Sequence, residues 1–189
     1  DSKNGTAYPS GFWEINDGSG NLSPADVAGA AGEEGDKAFA VKLNTGVAVT
    51  WVNPYMDSST YSAVNTHKMV YEFDFKVNTS ADSVKIDGIH LWGSSFDFVS
   101  TGKYLGTSVA ASTDKFDHIK IVSDPQKKVI SFWVNGQLLK DRVPYGTYQY
   151  YANKAFRFTP NQTAREAGAL YAVFAIDNLK YTKYTVTTE

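Results

Sequence analysis

Nine consecutive residues constrain the fold more tightly than any other stretch of this chain. Over residues 69–77 the side chains alternate. Met69, Tyr71, Phe73, Phe75 and Val77 fall on one side, and Val70, Glu72, Asp74 and Lys76 on the other. Successive side chains of an extended backbone point to opposite faces, so a period of two is that of an antiparallel strand with one face in a core and the other in water. A helix would bring residues three and four apart together and mix the two sets.

Shorter runs repeat this pattern. Strand-sized segments fall at 12–16, 38–43, 47–52, 84–92, 96–99, 116–122, 129–134, 137–140, 156–158 and 170–184, with a break expected at Asp87-Gly88. Asn44-Thr45-Gly46 reads as a hairpin turn joining 38–43 to 47–52. Asn135-Gly136 is the strongest turn signal, because the tight two-residue turn needs positive φ at both positions. Ser23-Pro24-Ala25-Asp26 has the pattern of a capped helical turn with Pro at its first position, and the glycine-rich stretch 28–35 reads as a surface loop. No segment carries a long repeat of 3.6 residues. The expectation is an all-β chain, one β-sandwich domain of two antiparallel sheets over residues 1–189. Its core would hold Phe39, Val41, Met69, Tyr71, Phe73, Phe75, Val77, Ile119, Ile121, Ile130, Phe132, Val134, Val173 and Leu179.

Composition narrows the function classes. The 18 Lys and Arg against 20 Asp and Glu leave a formal net charge of -2. That gives no electrostatic basis for binding nucleic acid or an anionic membrane. No apolar run reaches the length of a membrane span, so neither a nucleic-acid partner nor membrane insertion is expected. Cysteine is absent, which removes disulfides, thiolate nucleophiles and Cys-ligated metals. The sequence starts at Asp1 without an initiator Met or a leader, which reads as a trimmed mature protein or an excised domain. Aromatic residues make up 14%, a level that suits sheets.

Chemistry-bearing residues are few. There is no Gly-x-Ser-x-Gly elbow, and His118 follows Asp117 directly, so on a strand those two side chains point to opposite faces. Glu72 and Asp74 share a face at about 6–7 Å, near the separation that a retaining glycosidase uses. Their companions Val70 and Lys76 mark a solvated outer face, however, and no residue is assigned as catalytic. Asp177, at the end of an apolar run, is the expected carboxylate of a structural calcium, with Glu14 or Asp17 contributing. The alternative there is an Asx-type turn.

The aromatic residues carry the remaining signal. Trp133 lies on the opposite side of its run from Ile130, Phe132 and Val134, so it sits either under a loop or on an open face. On an open face, an indole stacks on the C–H side of a pyranose. Tyr145, Tyr148 and Tyr150 crowd, with Tyr151, into seven residues. Tyrosines there offer rigid contact area and a hydroxyl, as recognition loops do. These rings, with Trp92 in reserve and Asn135 and Gln149 as polar partners, form the expected ligand site. The alternative is that the rings pack the loops onto the sandwich.

The segment 116–122, followed by 129–139 with its aromatic–apolar–Asn-Gly ending, resembles the laminin-G-like or concanavalin-like jelly rolls. The ending Ala175-Ile176-Asp177-Asn178-Leu179-Lys180-Tyr181 resembles the closing strand of carbohydrate-binding modules from secreted bacterial polysaccharide-degrading systems. The resemblance implies a jelly-roll sandwich, sugar binding on its concave face or loop rim, and often a structural calcium. It also implies an extracellular or cell-surface location within a larger multidomain secreted protein. Non-catalytic binding of a polysaccharide or glycan ranks first. A structural or adhesive protein-interaction domain ranks second, and a polysaccharide lyase or glycoside hydrolase third.

Overall fold

The computed structural model of the chain describes residues 13–16, 22–32, 34, 36–43, 51–54, 67–78, 83–87, 95–144, 157–161 and 171–184. Within them every regular element is a strand. In chain order these are β1 (Trp13–Asn16), β2 (Leu22–Ala28), β3 (Lys37–Leu43), β4 (Trp51–Pro54), β5 (Lys68–Val77), β6 (Ser83–Asp87) and β7 (Ser95–Ser100). They continue with β8 (Lys103–Tyr104), β9 (Asp117–Asp124), β10 (Val129–Val134), β11 (Gln137–Pro144), β12 (Arg157–Asn161) and β13 (Tyr171–Tyr184). They form two antiparallel sheets, a six-stranded one in the order β1-β4-β12-β6-β7-β8 and a seven-stranded one in the order β11-β10-β9-β5-β13-β3-β2.

The alternation in β5 does what its sequence demands. Met69, Tyr71, Phe73, Phe75 and Val77 are buried, while Glu72, Asp74 and Lys76 are half-buried on the other face; Val70, expected on that solvated side, is buried there instead. The inward side of the seven-stranded sheet adds Ile119, Ile121, Ile130, Phe132, Val134, Phe174 and Ile176, and the six-stranded sheet meets it with Val84, Phe98, Val99 and Tyr104. Phe75 lies at the centre of the aromatic part. Its ring centroid is 5.1 Å from Phe98 and 5.9 Å from Phe174, and Phe98 is 5.3 Å from Tyr104. Each such ring contributes about 1.5–3 kcal/mol through burial, and the edge-on contacts add to that. Leu179 packs against this core from its margin. The side chains of Phe39, Val41 and Val173 lie outside the described residues.

Two local expectations are corrected. Residues 23–26 belong to strand β2, not to a helical turn. β2 is an edge strand, where Pro24 leaves no gap in an inner ladder. The segments 38–43 and 47–52 do not form a hairpin. β3 pairs with β2 and β13, whereas β4 pairs with β1 and β12 in the other sheet. The closing segment expected at 170–184 is one strand, β13, which runs on through Asp177-Asn178 with one extra residue, between the pairs Asp177↔Asp74 and Lys180↔Glu72. Asn178 takes the left-handed conformation there, φ 51, which Asn tolerates better than most residues. At the other signalled turn, Asn135 (φ 49) and Gly136 (φ 79) close β10 onto β11 as expected.

Candidate functional site

The strand β9 divides its side chains between two jobs. Asp117, 2% exposed, points inward and accepts four hydrogen bonds. They come from the Tyr104 hydroxyl (2.8 Å), the Ser112 amide (2.9 Å) and hydroxyl (2.8 Å), and the Asn135 Nδ2 (2.8 Å). Burial pushes the Asp117 carboxyl up, but these donors, Asn135 first, outweigh it and hold the group below the ordinary carboxylate value. Burial, with the Asp117 charge beside it, pushes the Tyr104 phenol far above its usual range. Asn135 also accepts the His118 amide through Oδ1 (2.8 Å) and donates its own amide to the His118 carbonyl (2.8 Å). The hairpin tip and the start of β9 are thereby locked together, and with them the position of His118.

His118 points the other way, into water. Its Nδ1 lies 2.9 Å from Asp74 Oδ1 and its Nε2 4.0 Å from Glu72 Oε1. The imidazole is 53% exposed, Glu72 30% and Asp74 17%. Asp74 Oδ2 accepts Asn178 Nδ2 at 2.7 Å. The extra residue in β13 explains this contact: Asp74 and Asp177 stand opposite each other in register. Inserting Asn178 supplies a side-chain donor to the first carboxylate and, through its amide, a donor to the second (2.8 Å). Two like charges at paired positions are thus each given a donor by one residue.

Register places a second row beside this one. Trp133 pairs with Lys120, Lys120 with Glu72, and Glu72 with Lys180. The row crosses four adjacent strands on the outward side. Trp133 is half-buried, and Lys120 Nζ lies 5.7 Å from its ring centroid. Farther along, Lys76 Nζ lies 4.7 Å above the Phe116 ring. One flank is bounded by residues 29–32 and Asp36, where Ala30 donates its amide to Asp177 Oδ2 (2.8 Å) and Gly29 its amide to the Asp36 carbonyl (3.0 Å). A side chain at Gly29 would run into the Asp36 carboxylate, which itself accepts the Ala31 amide (3.0 Å). The face can hold a ligand by ring stacking, amide and carboxylate hydrogen bonds, and ammonium charge.

Of the expected ligand residues, Trp133 lies on this face, and Asn135 stands at its end with its amide engaged by Asp117 and His118. Tyr145, Tyr148, Tyr150, Gln149 and Trp92 lie outside the described residues. Of the expected metal residues, Asp177 is buried, with both oxygens accepting backbone amides. Glu14 lies in β1 of the other sheet, and Asp17 lies outside the described residues. Calcium takes six to eight oxygens. Asp177 is one described carboxylate, and no group of three or more His, Cys, Asp or Glu among the described residues is placed to hold a metal.

His118, Lys120, Asn178 and Lys180 join the site although sequence reasoning left them aside. Part of the signal was present: His118, Lys120 and Val122 share a parity that puts them opposite Asp117 and Ile119. The neighbour relation of β5, β9 and β13 was not readable.

No protein-family model matches the sequence, and no curated protein matches it. Solved structures do. The chain is similar to a sialidase chain, with a TM-score of 0.61 and 14% identity over 96% of this chain and 18% of that one. It is also similar to the catalytic domain of a glycoside hydrolase family 131 protein from Coprinopsis cinerea, with a TM-score of 0.61 and 12% identity over 95% of this chain and 86% of that one. The chain therefore spans less than a fifth of the sialidase. At these identities the likeness is one of fold, and the fold is the jelly-roll β-sandwich of two antiparallel sheets.

Proposed function

We propose that the outward face of the seven-stranded sheet binds a polysaccharide. The observation that carries this reading is the row Trp133–Lys120–Glu72–Lys180, which sets a half-buried indole beside hydrogen-bonding and charged groups on one surface. Sugars need that combination: apolar C–H faces against a ring, and hydroxyls against amides and carboxylates. Asp74, His118 and Asn178 lie one row away and extend the polar part. Tyr145, Tyr148, Tyr150, Trp92 and Gln149 would widen the aromatic part. The shared fold with a sialidase chain and a glycoside hydrolase family 131 domain supports a carbohydrate ligand. The same reading places the chain outside the cell, as one module of a longer secreted protein.

A second reading has one observation in its favour. The Asp74–His118 contact at 2.9 Å joins a carboxylate to an imidazole, an arrangement that also serves proton transfer. Affinity electrophoresis through gels containing soluble plant, algal and host polysaccharides, followed by product analysis of any that retard the protein, separates the possibilities. Retardation without products is expected. New reducing ends or unsaturated products replace the binding reading with catalysis. Free migration in every gel leaves the structural or adhesive role.

A structural calcium at Asp177, completed by Asp17 or Glu14 and main-chain carbonyls, is a separate proposal. A bound ion gives stoichiometric calcium on elemental analysis and a melting temperature that falls in chelator, because the metal stabilises only the folded chain. No calcium and an unchanged melting temperature remove the site.

A further inference from the structure

From the charges on this face we infer that the polysaccharide it takes is a carboxylated one, a chain containing uronic acid units. The inference rests on the carbohydrate reading and narrows it.

Four lysines stand on the outward side of the central strands: Lys68 and Lys76 on β5, Lys120 on β9 and Lys180 on β13. Among the described residues no carboxylate lies within ion-pair distance of any of their ammonium groups. Lys76 and Lys120 rest over aromatic rings instead. Four acids share this side of the same strands, and each is engaged elsewhere: Asp124 accepts the Gln126 and Lys127 amides, and Asp177 the Ala30 and Asn178 amides. Asp74 takes His118 and Asn178, and Glu72 stands beside the His118 ring. Among the described residues the face therefore pairs its acids with neutral or histidine donors and leaves its ammonium groups without a carboxylate partner, although the whole chain carries a net charge of -2. A surface built only for solubility gains by interleaving opposite charges, and Lys120 and Lys180 both stand directly opposite Glu72 in register without closing on it.

The spacing suits a chain of acidic sugars. Lys120 and Lys180 are two strands apart, roughly 10 Å in the hydrogen-bonding direction, which is about the length of a disaccharide. A polysaccharide laid along the row would stack one ring on Trp133 and bring carboxylates of its units to Lys120 and Lys180. The cation–π contact of Lys120 with Trp133 is a long one, 5.7 Å to the ring centroid at a half-buried site, so the ammonium can turn from the ring to a sugar carboxylate. Ammonium groups act as point charges and do not demand the bidentate geometry that phosphate draws from arginine.

Titration calorimetry with polyglucuronate and polygalacturonate, their carboxyl-reduced counterparts and dextran sulfate tests this on the whole chain. The uronans are expected to bind, to weaken at least tenfold between 50 and 500 mM salt, and to lose most of their affinity on carboxyl reduction. Lys120→Met and Lys180→Met are each expected to cost about fivefold and to flatten the salt dependence, with melting temperatures unchanged. Equal, salt-insensitive binding of the reduced polymers overturns the carboxylate inference and keeps the carbohydrate reading. Dextran sulfate binding as tightly as the uronans overturns it as well, by showing unspecific attraction of polyanions. If no polysaccharide binds, the inference and the reading beneath it fail together.

Discussion

Asp117→Ala is expected to destabilise the domain by about 3–4 kcal/mol and to lower its melting temperature by roughly 10 °C. The carboxylate is the single acceptor that joins Tyr104 after β7, Ser112 in the following loop and Asn135 at the β10–β11 hairpin tip. Alanine leaves those donors facing an apolar cavity. Tyr104, fully buried, has the least prospect of finding water. Ser112 and Asn135 lie nearer the surface and regain water in part, which keeps the cost below the sum of four lost bonds. Asp117→Asn keeps the shape but turns two hydrogens toward a ring of donors, so it is expected to lose about half as much. The pH dependence has a definite sign. The folded carboxyl is held below its unfolded value, so its contribution is complete above the ordinary carboxylate range and is lost as pH falls through the folded value. The gap in melting temperature between wild type and Asp117→Asn therefore narrows in acid. Equal melting temperatures at neutral pH would show that this network holds nothing.

This network also shows where sequence reading stopped. The parity of β9 was legible: the strict alternation over 69–77 predicts the core of β5, and the same rule puts Asp117 and His118 on opposite faces. Most strands and the Asn135-Gly136 turn followed from such local signals, because an extended chain sorts its side chains by position alone. Neighbour order did not follow. Nothing near residue 178 says that β13 lies beside β5, so the approach of Asn178 to Asp74 across 104 positions depends on a non-local pairing that no window of sequence contains. The apparent hairpin at 38–52 failed for the same reason: two apolar runs around Asn44-Thr45-Gly46 satisfy the local rule, yet β3 and β4 complete different sheets. Glu72 and Asp74 looked like a solvated outer face because their own strand offers them only Val70 and Lys76. His118, Lys120 and Lys180, which turn that face into a candidate site, come from the strands on either side.

Trp133→Ala is expected to weaken polysaccharide binding by about 2 kcal/mol or more, some thirtyfold, if the indole is the central stacking ring. The melting temperature should move little by comparison. Trp133 stands outside the buried core formed by Ile130, Phe132 and Val134 on its own strand. What it loses in the free protein is partial burial and the half-buried cation–π contact with Lys120, together about 1–2 kcal/mol. Trp133→Phe keeps a smaller ring and is expected to retain part of the affinity, whereas Trp133→Leu keeps apolar volume without a ring and should behave like alanine. Tyr148→Ala provides the comparison for the tyrosine-rich segment. If that segment widens the same platform, its loss adds to that of Trp133 in binding and not in melting. The opposite pattern, a large fall in melting temperature with affinity intact, assigns the indole to packing. The ligand site would then move away from this face, toward the aromatic residues at 51–55 and Trp92.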